Sequence, residues 1–238
     1  MKDYDYYAYE NKKILEKIIF ILNEKGIFEL LIRILREIYR NFKYLEVKIF
    51  GDKYFLYKGG EIPYFYGRYQ KTWINERSIE IPIGIEWLKR YKGREILEIG
   101  DTLRNYIEVN HEILDKFSKG EKIINEDIVD FSPSKKYDLI ISISTIEHVG
   151  IEDSEKDLKK SQIAIKKIYS LLNKKGKAII TIPLGHHKIL DDFLKKSCYK
   201  KEYYKRLNKR LNIWKQMKNI PNQHKEFEEL LIVEIDKT

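Results

Sequence analysis

The segment Arg94–Tyr106 reads REILEIGDTLRNY. Its apolar residues Ile96, Leu97 and Ile99 run up to Gly100, after which the sequence becomes polar. A short apolar run that ends at a glycine is typical of a buried parallel strand that leads into a tight turn. In an open α/β sheet, ligands bind at the carboxyl ends of the strands. The segment therefore predicts both a class of fold and the edge of the sheet where a ligand binds.

Further apolar segments follow this first strand, predicted over residues 94–99, at regular intervals. They predict strands at 112–114, 123–128, 137–144 and 177–182, a sixth strand that carries Tyr203 and Tyr204, and a last strand at 230–235. Helices are predicted between them at about 154–172 and 187–196. Strands that alternate with helices imply an α/β fold with a doubly wound, mostly parallel sheet.

The region before the first strand has a different pattern. Residues 11–24 and 27–42 carry apolar residues at helical spacing, with a break at Lys25-Gly26, and predict two helices in a hairpin. Residues 44–50 and 53–57 alternate around Gly51-Asp52 and predict a β-hairpin. We therefore expect an N-terminal extension over 1–72 and a ligand-binding domain over 73–238. We expect the helices to pack on the core, with a lid, a dimer surface or a membrane-surface element as alternatives.

Composition excludes several classes of protein. The chain has 238 residues, 43% of them hydrophobic, which suffices for one large domain or a core domain with an extension. A single cysteine, Cys198, excludes an intrachain disulfide and a cysteine-cluster zinc site. The N-terminal residues show no signal-peptide pattern, and no apolar run approaches the ~20 residues of a membrane span. We expect a soluble cytoplasmic protein; the oligomeric state is left open.

The net charge of +9 permits an acidic partner such as a nucleic acid. Residues 195–218 are the most basic part of the chain and contain interleaved aromatic residues, a pattern found in single-strand binders. A lysine-guarded edge strand gives the same pattern, and lysine is spread along much of the chain. We therefore favour a solvated basic surface over a nucleic-acid site.

Polar and aromatic residues crowd together at 64–82, just before the first strand. Tyr66 lies among the aromatic residues, and Arg77 follows in the sequence ERSIEIP. This composition suits one wall of a substrate pocket, with Arg77 as an anion clamp. The alternative is a surface pair between Arg77 and Glu80 at helical spacing.

The order of these segments resembles the class I S-adenosylmethionine-dependent methyltransferases. The resemblance rests on LEIG, an acid that closes the second strand, NEDIVDF, YDLIISISTIEHVG and KKGKAIITIPLG, in that order. It covers about Trp73 to Pro183 well. It implies a Rossmann-like sheet with an antiparallel last strand, S-adenosylmethionine as the cofactor, and methyl transfer to an oxygen or nitrogen of a small molecule. The ERSIEIPI block points towards sugar or cell-surface biosynthesis.

The resemblance also implies cofactor-binding residues at the ends of consecutive strands. Glu98, with Asp101 beside it, would hold the methionine ammonium, and Gly100 would let the backbone approach the ligand. Asp115 would accept hydrogen bonds from both ribose hydroxyls. Asp127 would receive the adenine amino group with Ile128 beside the ring, and Ser144 would lie under the transferred methyl.

The acceptor side is predicted from histidines that follow the next strands. His148, in IEHV, is the first candidate for a general base, with a structural role as its alternative. His186 and His187, in PLGHH, are candidates for a base and for a substrate contact. Adjacent histidines rarely point at one ion, so no metal site is predicted.

One departure from the family pattern concerns the first loop. The family has E-x-G-x-G-x-G, whereas here Gly100 is followed by Asp101-Thr102-Leu103-Arg104-Asn105. The missing glycines also argue against a nicotinamide dehydrogenase, which needs G-x-G-x-x-G. Two alternatives follow: an RNA methyltransferase that uses the basic segment, and a non-catalytic binding or scaffold protein on the same fold.

Overall fold

The structure is a computed structural model that describes residues 14–153, 155–221, 224–225 and 228–238. The described chain divides into two compact units, which meet in sequence between Phe50 and Gly51. The domain boundary predicted after residue 72 stays a prediction.

The first unit consists of helix α1 (Ile14–Phe50). Gly26, with φ of 79°, interrupts its helical conformation at the predicted break. The residues predicted to begin the first helix, 11–13, lie outside the described part of the chain. Residues 44–50 belong to α1, so the β-hairpin predicted around Gly51-Asp52 is wrong.

The second unit begins with a hairpin further along the chain, formed by β1 (Tyr54–Tyr57) and β2 (Gly60–Pro63). Its turn residues, Lys58 and Gly59, both have positive φ, as a two-residue hairpin turn of the favoured type requires. The tight turn is thus at Lys58-Gly59 and not at Gly51-Asp52. A short 3₁₀ segment (Tyr69–Ile74) and helix α2 (Arg77–Arg90) follow.

An eight-stranded sheet forms the centre of this unit. Its strands are β3 (Ile96–Ile99), β4 (Glu112–Leu114), β5 (Ile123–Ile124), β6 (Tyr137–Ile143), β7 (Leu172–Pro183), β8 (Lys200–Asn208), β9 (Ile213–Met217) and β10 (Glu229–Asp236). Helix α3 (Lys160–Leu171) precedes β7, and α4 (Lys188–Lys196) follows it. The spatial order is β5-β4-β3-β6-β7-β10-β8-β9.

Strands β3 to β7 pair in parallel, and β10 inserts antiparallel between β7 and β8. The α/β fold with a doubly wound, mostly parallel sheet and an antiparallel last strand is therefore confirmed. Two details differ from the prediction. β5 pairs over two residues only, so Asp127 and Ile128 lie in the loop after it. β9 was not predicted, because its sequence IWKQM lacks a clear alternation.

Both faces of the sheet are covered, as a doubly wound fold requires. Ile165 and Ile168 of α3 pack on one face, in a cluster that includes Ile140 of β6. Ile79 and Ile83 of α2 pack on the other face, in a cluster with Ile141 and Ile143. Neighbouring residues of β6 thus enter opposite cores, as the period of two in a strand dictates.

The strand order switches at β3, because β4 lies on one side of β3 and β6 lies on the other. Such a switch point opens a crevice at the carboxyl ends of the strands. Gly100, Asp115 and Ser144 directly follow β3, β4 and β6. The fold therefore brings the residues predicted from the strand ends to one edge.

Candidate functional site

A pocket of about 200 Å³ lies at this edge. It contains the predicted residues Gly100, Asp115, Asp127, Ile128 and Ser144, together with His148. The remaining lining residues are Ile99, Leu114, Lys116, Phe117, Glu126, Thr145, Val149, Gly150, Glu152 and Asp153. Residues from four separate strand ends thus share one cavity.

Gly100 connects β3 to the loop that passes over the pocket. Its φ of +87° lies in the left-handed region, and a Cβ at this position would overlap the side chain of Thr145. Its N–H donates to the carbonyl of Leu114 at 2.9 Å. Only glycine meets both the backbone and the space requirement here.

The carboxylate of Asp115 is held by backbone N–H groups. Oδ1 accepts from Phe117 N at 2.9 Å and Ser118 N at 2.7 Å, and Oδ2 accepts from Asp101 N at 3.0 Å. Burial raises the pKa of Asp115, but these donors outweigh it and hold the pKa below its usual value. The acid is therefore kept ionised at the pocket wall.

Asp127 is surrounded by two lysines. Its Oδ2 lies 2.7 Å from Lys160 Nζ and 3.2 Å from Lys116 Nζ, and Asp153 pairs with the same two lysines. Burial raises the pKa of Asp127, but Lys160, the Val129 N–H and Lys116 together lower it below its usual value. Oδ1 accepts from Val129 N at 3.1 Å. Sequence reasoning missed both lysines because the pattern around them is that of an ordinary basic surface.

Two predicted cofactor contacts are engaged elsewhere. Glu98 is fully buried; its Oε1 accepts from Thr102 N and Leu103 N at 3.0 and 2.6 Å, and its Oε2 lies 2.8 Å from His111 Nε2. Asp101 pairs with Arg104. Glu98 thus fixes the loop that replaces the glycine-rich turn, and neither acid lines the pocket.

Ser144 links the pocket to a buried acid that sequence reasoning did not assign. Its φ of 42° is left-handed, and its hydroxyl donates to Glu80 Oε1 at 2.6 Å. The Thr181 hydroxyl of β7 donates to the same oxygen at 2.6 Å. Glu80 lies inside the apolar run IEIPI, and an acid within such a run is the signal that could have identified it.

Arg77 pairs with Glu80, as the alternative interpretation predicted, but the pair is not on the surface. Arg77 Nη1 lies 3.3 Å from Glu80 Oε2 and donates to the carbonyl of Ile143 at 3.1 Å. The Glu80 side chain is fully buried and that of Arg77 is 16% exposed. This pair caps the end of β6 beside the pocket. The Arg77 charge is therefore already paired with a carboxylate, and its role as an anion clamp stays a prediction.

Two further acids lie near this pair. Glu147 is 1% exposed, and its Oε2 has no hydrogen-bond partner among the described residues. Burial raises the pKa of Glu147 well above its usual value, and Glu80 and Glu76 add to the effect. Burial and then Glu80 also raise the pKa of Glu76, whose Oε2 is likewise without a partner in the described chain. We call Glu76, Glu80 and Glu147 the buried acid group.

His148 lies where the pocket meets the buried acid group. Its Nδ1 is 2.8 Å from Glu152 Oε1, and its Nε2 is 3.8 Å from Glu147 Oε1. Glu152 favours the tautomer with the proton on Nδ1, which leaves Nε2 able to accept a proton. The ring of His186 is 5.0 Å from that of His148, centroid to centroid. The two predicted candidate bases are therefore neighbours.

The two other predicted substrate contacts have structural partners. His187 is 2% exposed; its Nδ1 accepts from Leu190 N at 3.3 Å, which caps α4, and its Nε2 lies 3.2 Å from Ser161 Oγ. Tyr66 donates to the carbonyl of Asp52 at 3.0 Å and stacks on Tyr64 at 5.2 Å. His187 thus has a structural role at the start of α4, and its predicted contact with substrate stays a prediction.

The basic segment forms β8 and β9 and is tied to the rest of the unit. Lys201 donates to the carbonyls at the end of α4, and Lys200 and Lys215 pair with Asp236 and Asp52. Three of its aromatic residues, Tyr203, Tyr204 and Trp214, are at most 4% exposed, and Tyr199 is partly buried against the core. The three buried rings are not available to stack on bases.

Among the described residues, no group of three or more His, Cys, Asp or Glu is arranged to hold a metal ion. No helix in the part of the chain described here is long and apolar enough to cross a membrane.

No protein-family model matches the sequence, and no curated protein matches it. Solved structures give matches of low identity. The N-methyltransferase NodS from Bradyrhizobium japonicum WM9, in complex with S-adenosyl-L-homocysteine, is 13% identical over 68% of this chain and 91% of its own, with a TM-score of 0.40. An rRNA methylase from Streptococcus thermophilus is 11% identical over 67% of this chain and 97% of its own, with a TM-score of 0.42. The sugar N-methyltransferase KedS8 from Streptoalloteichus sp. ATCC 53650 is 13% identical over 44% and 49%, with a TM-score of 0.32.

The fold is the Rossmann-like methyltransferase fold, and the strand order and directions of this chain establish it. The solved structures named above differ in the substrate that their names give, and their TM-scores are too low to favour one of them. The chemistry of the site is therefore derived from its own residues.

Proposed function

We propose that this protein is an S-adenosylmethionine-dependent methyltransferase that acts on an oxygen or nitrogen of a small molecule, with sugars among the candidate acceptors. One observation carries the proposal: Gly100, Asp115, Asp127, Ile128 and Ser144 line a single pocket at the switch point of the sheet. The family resemblance assigns these residues to the ends of consecutive strands. Their common location is what a cofactor that spans several strand ends requires.

The residues present fit the adenosine part of this cofactor. Asp115 Oδ2 has one backbone donor in the described chain, Asp101 N, and can accept further from ribose hydroxyls. Asp127 Oδ1 receives Val129 N and retains room for the adenine amino group. Ile128, 4% exposed, would lie beside the ring. When bound, S-adenosylmethionine supplies a methyl group on a positively charged sulfur.

The remaining parts of the proposal concern orientation and proton transfer. The enzyme's main contribution to methyl transfer is to hold the acceptor in line with the methyl group. His148 is the proposed base, because Glu152 orients its ring and Nε2 is left to accept a proton. His186 is the second candidate, beside it. The methionine end lacks an assigned acid, since Glu98 and Asp101 already have partners.

An RNA acceptor has less support. It relies on a basic and aromatic segment in which three of the four aromatic rings are buried and the fourth, that of Tyr199, is partly buried. Its lysines Lys200, Lys201 and Lys215 have partners within the unit. A stacking platform needs exposed rings.

Isothermal titration calorimetry with S-adenosylmethionine and S-adenosylhomocysteine tests the proposal. We expect both to bind, and Asp115→Asn to weaken binding by about 10- to 100-fold, since one charge-assisted contact is worth about 1.5–3 kcal/mol. The asparagine oxygen can still accept from the N–H groups of Phe117 and Ser118, and only the acceptor for Asp101 N is lost. Asp130→Asn, an exposed acid outside the pocket, is the matched control and should bind as the wild type does. No binding of either ligand would leave the non-catalytic scaffold as the better account.

A further inference from the structure

The buried acid group carries more negative charge than its surroundings balance. Three carboxylates, those of Glu76, Glu80 and Glu147, interact electrostatically with one another. Arg77 pairs with Glu80, and Arg206 faces Glu76 while it donates to the carbonyl of Ile74 at 2.6 Å. A buried carboxylate without a partner costs several kcal/mol unless a cation or a proton neutralises it.

Several oxygens of the buried acid group have no hydrogen-bond donor in the described chain. Glu147 is almost fully buried, and neither its Oε2 nor that of Glu76 has a hydrogen-bond donor within the described ranges. Glu80 Oε1 accepts from both Ser144 and Thr181, whereas its Oε2 has no hydrogen bond among the described residues and lies 3.3 Å from Arg77 Nη1. Buried polar atoms in folded proteins are nearly always paired, so this concentration of exceptions calls for an external donor.

Aromatic residues lie within electrostatic range of the acids. Tyr106 interacts electrostatically with Arg77, Glu80 and Glu76, and its own hydroxyl has no partner in the described chain. Its ring meets those of Phe65 and Tyr69 edge to face, at 5.6 and 5.4 Å between centroids. Carboxylates combined with aromatic faces are the usual surroundings of an organic ammonium group.

The acids lie on the acceptor side of the proposed cofactor pocket. Ser144 and His148 line that pocket; Ser144 donates to Glu80, and His148 Nε2 lies 3.8 Å from Glu147. A molecule that reaches the acids would thus be next to the residues at the end of β6. On the basis of the proposed function, we infer that the methyl acceptor is an amine, bound as its ammonium ion by Glu147 and Glu76 beside Tyr106.

The transfer step balances with these groups. The ammonium gives one proton to Glu147 or His148, and the amine nitrogen then has a free electron pair. That pair forms the new N–C bond, while the S–C bond of the sulfonium donor breaks and its electrons remain on sulfur. The product is an N-methylammonium ion, and the proton passes to solvent through the partly exposed His148.

Thermal unfolding of the full chain, saturated with S-adenosylhomocysteine, tests this inference. The probe is methylammonium chloride; sodium chloride and methanol at equal concentration are the controls for ionic strength and for a hydroxyl of similar size. We expect methylammonium alone to raise the Tm, by about 2 °C or more. Glu147→Gln should lose at least half of that rise, and Glu155→Gln, an exposed acid, should keep it.

The outcomes separate this inference from the proposed function. If S-adenosylhomocysteine binds but methylammonium gives no specific rise, or an equal rise in Glu147→Gln, the amine acceptor is overturned and the methyltransferase proposal stands. If methylammonium acts as expected but S-adenosylhomocysteine does not bind by calorimetry, the group is not an acceptor site and both proposals fail. Should Glu147→Gln unfold, Glu76→Gln serves in its place, with the same expected loss.

Discussion

The acids that line the pocket and the acids of the buried acid group form two sides of the site, and they differ in how their charge is balanced. Asp115 accepts three backbone N–H groups and Asp127 lies between two lysines, and both have pKa values below the usual range. Glu147 is buried and Glu76 is half-buried; each has a buried oxygen without a partner in the described chain, and both have raised pKa values. The difference shows that burial alone does not decide the state of an acid, since local donors reverse its effect.

The two sides therefore have opposite relations to stability. An acid with a lowered pKa contributes stability above its unfolded pKa, and this is lost as the pH falls through the folded pKa. An acid with a raised pKa costs stability as the pH rises above its unfolded pKa, because the folded chain then holds a proton that the unfolded chain releases. We expect Asp115 and Glu147 to follow these opposite courses.

The largest effect on the free energy of unfolding is expected at Gly100, which lines the pocket next to the residues that reach the buried acid group. Gly100→Ala would place a methyl group against Thr145, next to Ser144, in a left-handed conformation. We expect a loss of about 4 kcal/mol in the free energy of unfolding, from overlap and backbone strain together. Urea unfolding measures it.

Gly93→Ala is the matched control for that change. Gly93 has a similar φ, +78°, but open space around its Cβ position. It should cost only the strain, about 1–2 kcal/mol. Equal losses for the two variants would show that Thr145 does not crowd Gly100.

The second-largest effect is expected for Asp115, whose carboxylate has hydrogen-bond partners. Asp115→Ala leaves the N–H groups of Asp101, Phe117 and Ser118 without their acceptor. We expect a loss of about 3 kcal/mol in the free energy of unfolding at neutral pH, discounted for partial exposure. The loss should shrink at low pH, where the wild-type acid is protonated. An Asp115→Ala chain as stable as Asp130→Ala at neutral pH would contradict the account.

The smallest effect has the opposite sign. Glu147→Gln removes a buried charge and keeps the shape, so we expect a gain of about 1 kcal/mol at about pH 8. The gain should fall as the pH is lowered through 4.5, the ordinary pKa of a glutamate, because below it the wild-type acid is protonated in both the folded and the unfolded state. Denaturant unfolding across this pH range measures it. A loss of stability at every pH would mean that the charge of Glu147 is already compensated.

The sequence predicted the side of the site that depends on strand ends. Asp115 and Ser144 follow apolar runs, and parallel strands bring such ends to one edge. Asp127 was placed correctly at that edge even though its strand is shorter than predicted. The fold and the common location of these strand-end residues thus follow from local pattern.

The other side could not be predicted in the same way. The partners of Glu98 could not be predicted, because one of its oxygens contacts His111, thirteen residues later in the chain. Glu80 meets Thr181 across a hundred residues, and only the packed helix α2 brings them together. An acid inside an apolar run, as in SIEIP and TIEHV, was the one local sign of the buried acid group.

A crystal structure of the chain with S-adenosylhomocysteine tests the central claim most directly. The account predicts that the ribose hydroxyls lie within hydrogen-bond distance of Asp115, the adenine amino group lies at Asp127 beside Ile128, and the sulfur lies near Ser144. A ligand bound away from the ends of β3, β4 and β6, or a crystal grown at saturating ligand in which this pocket is empty, would contradict it.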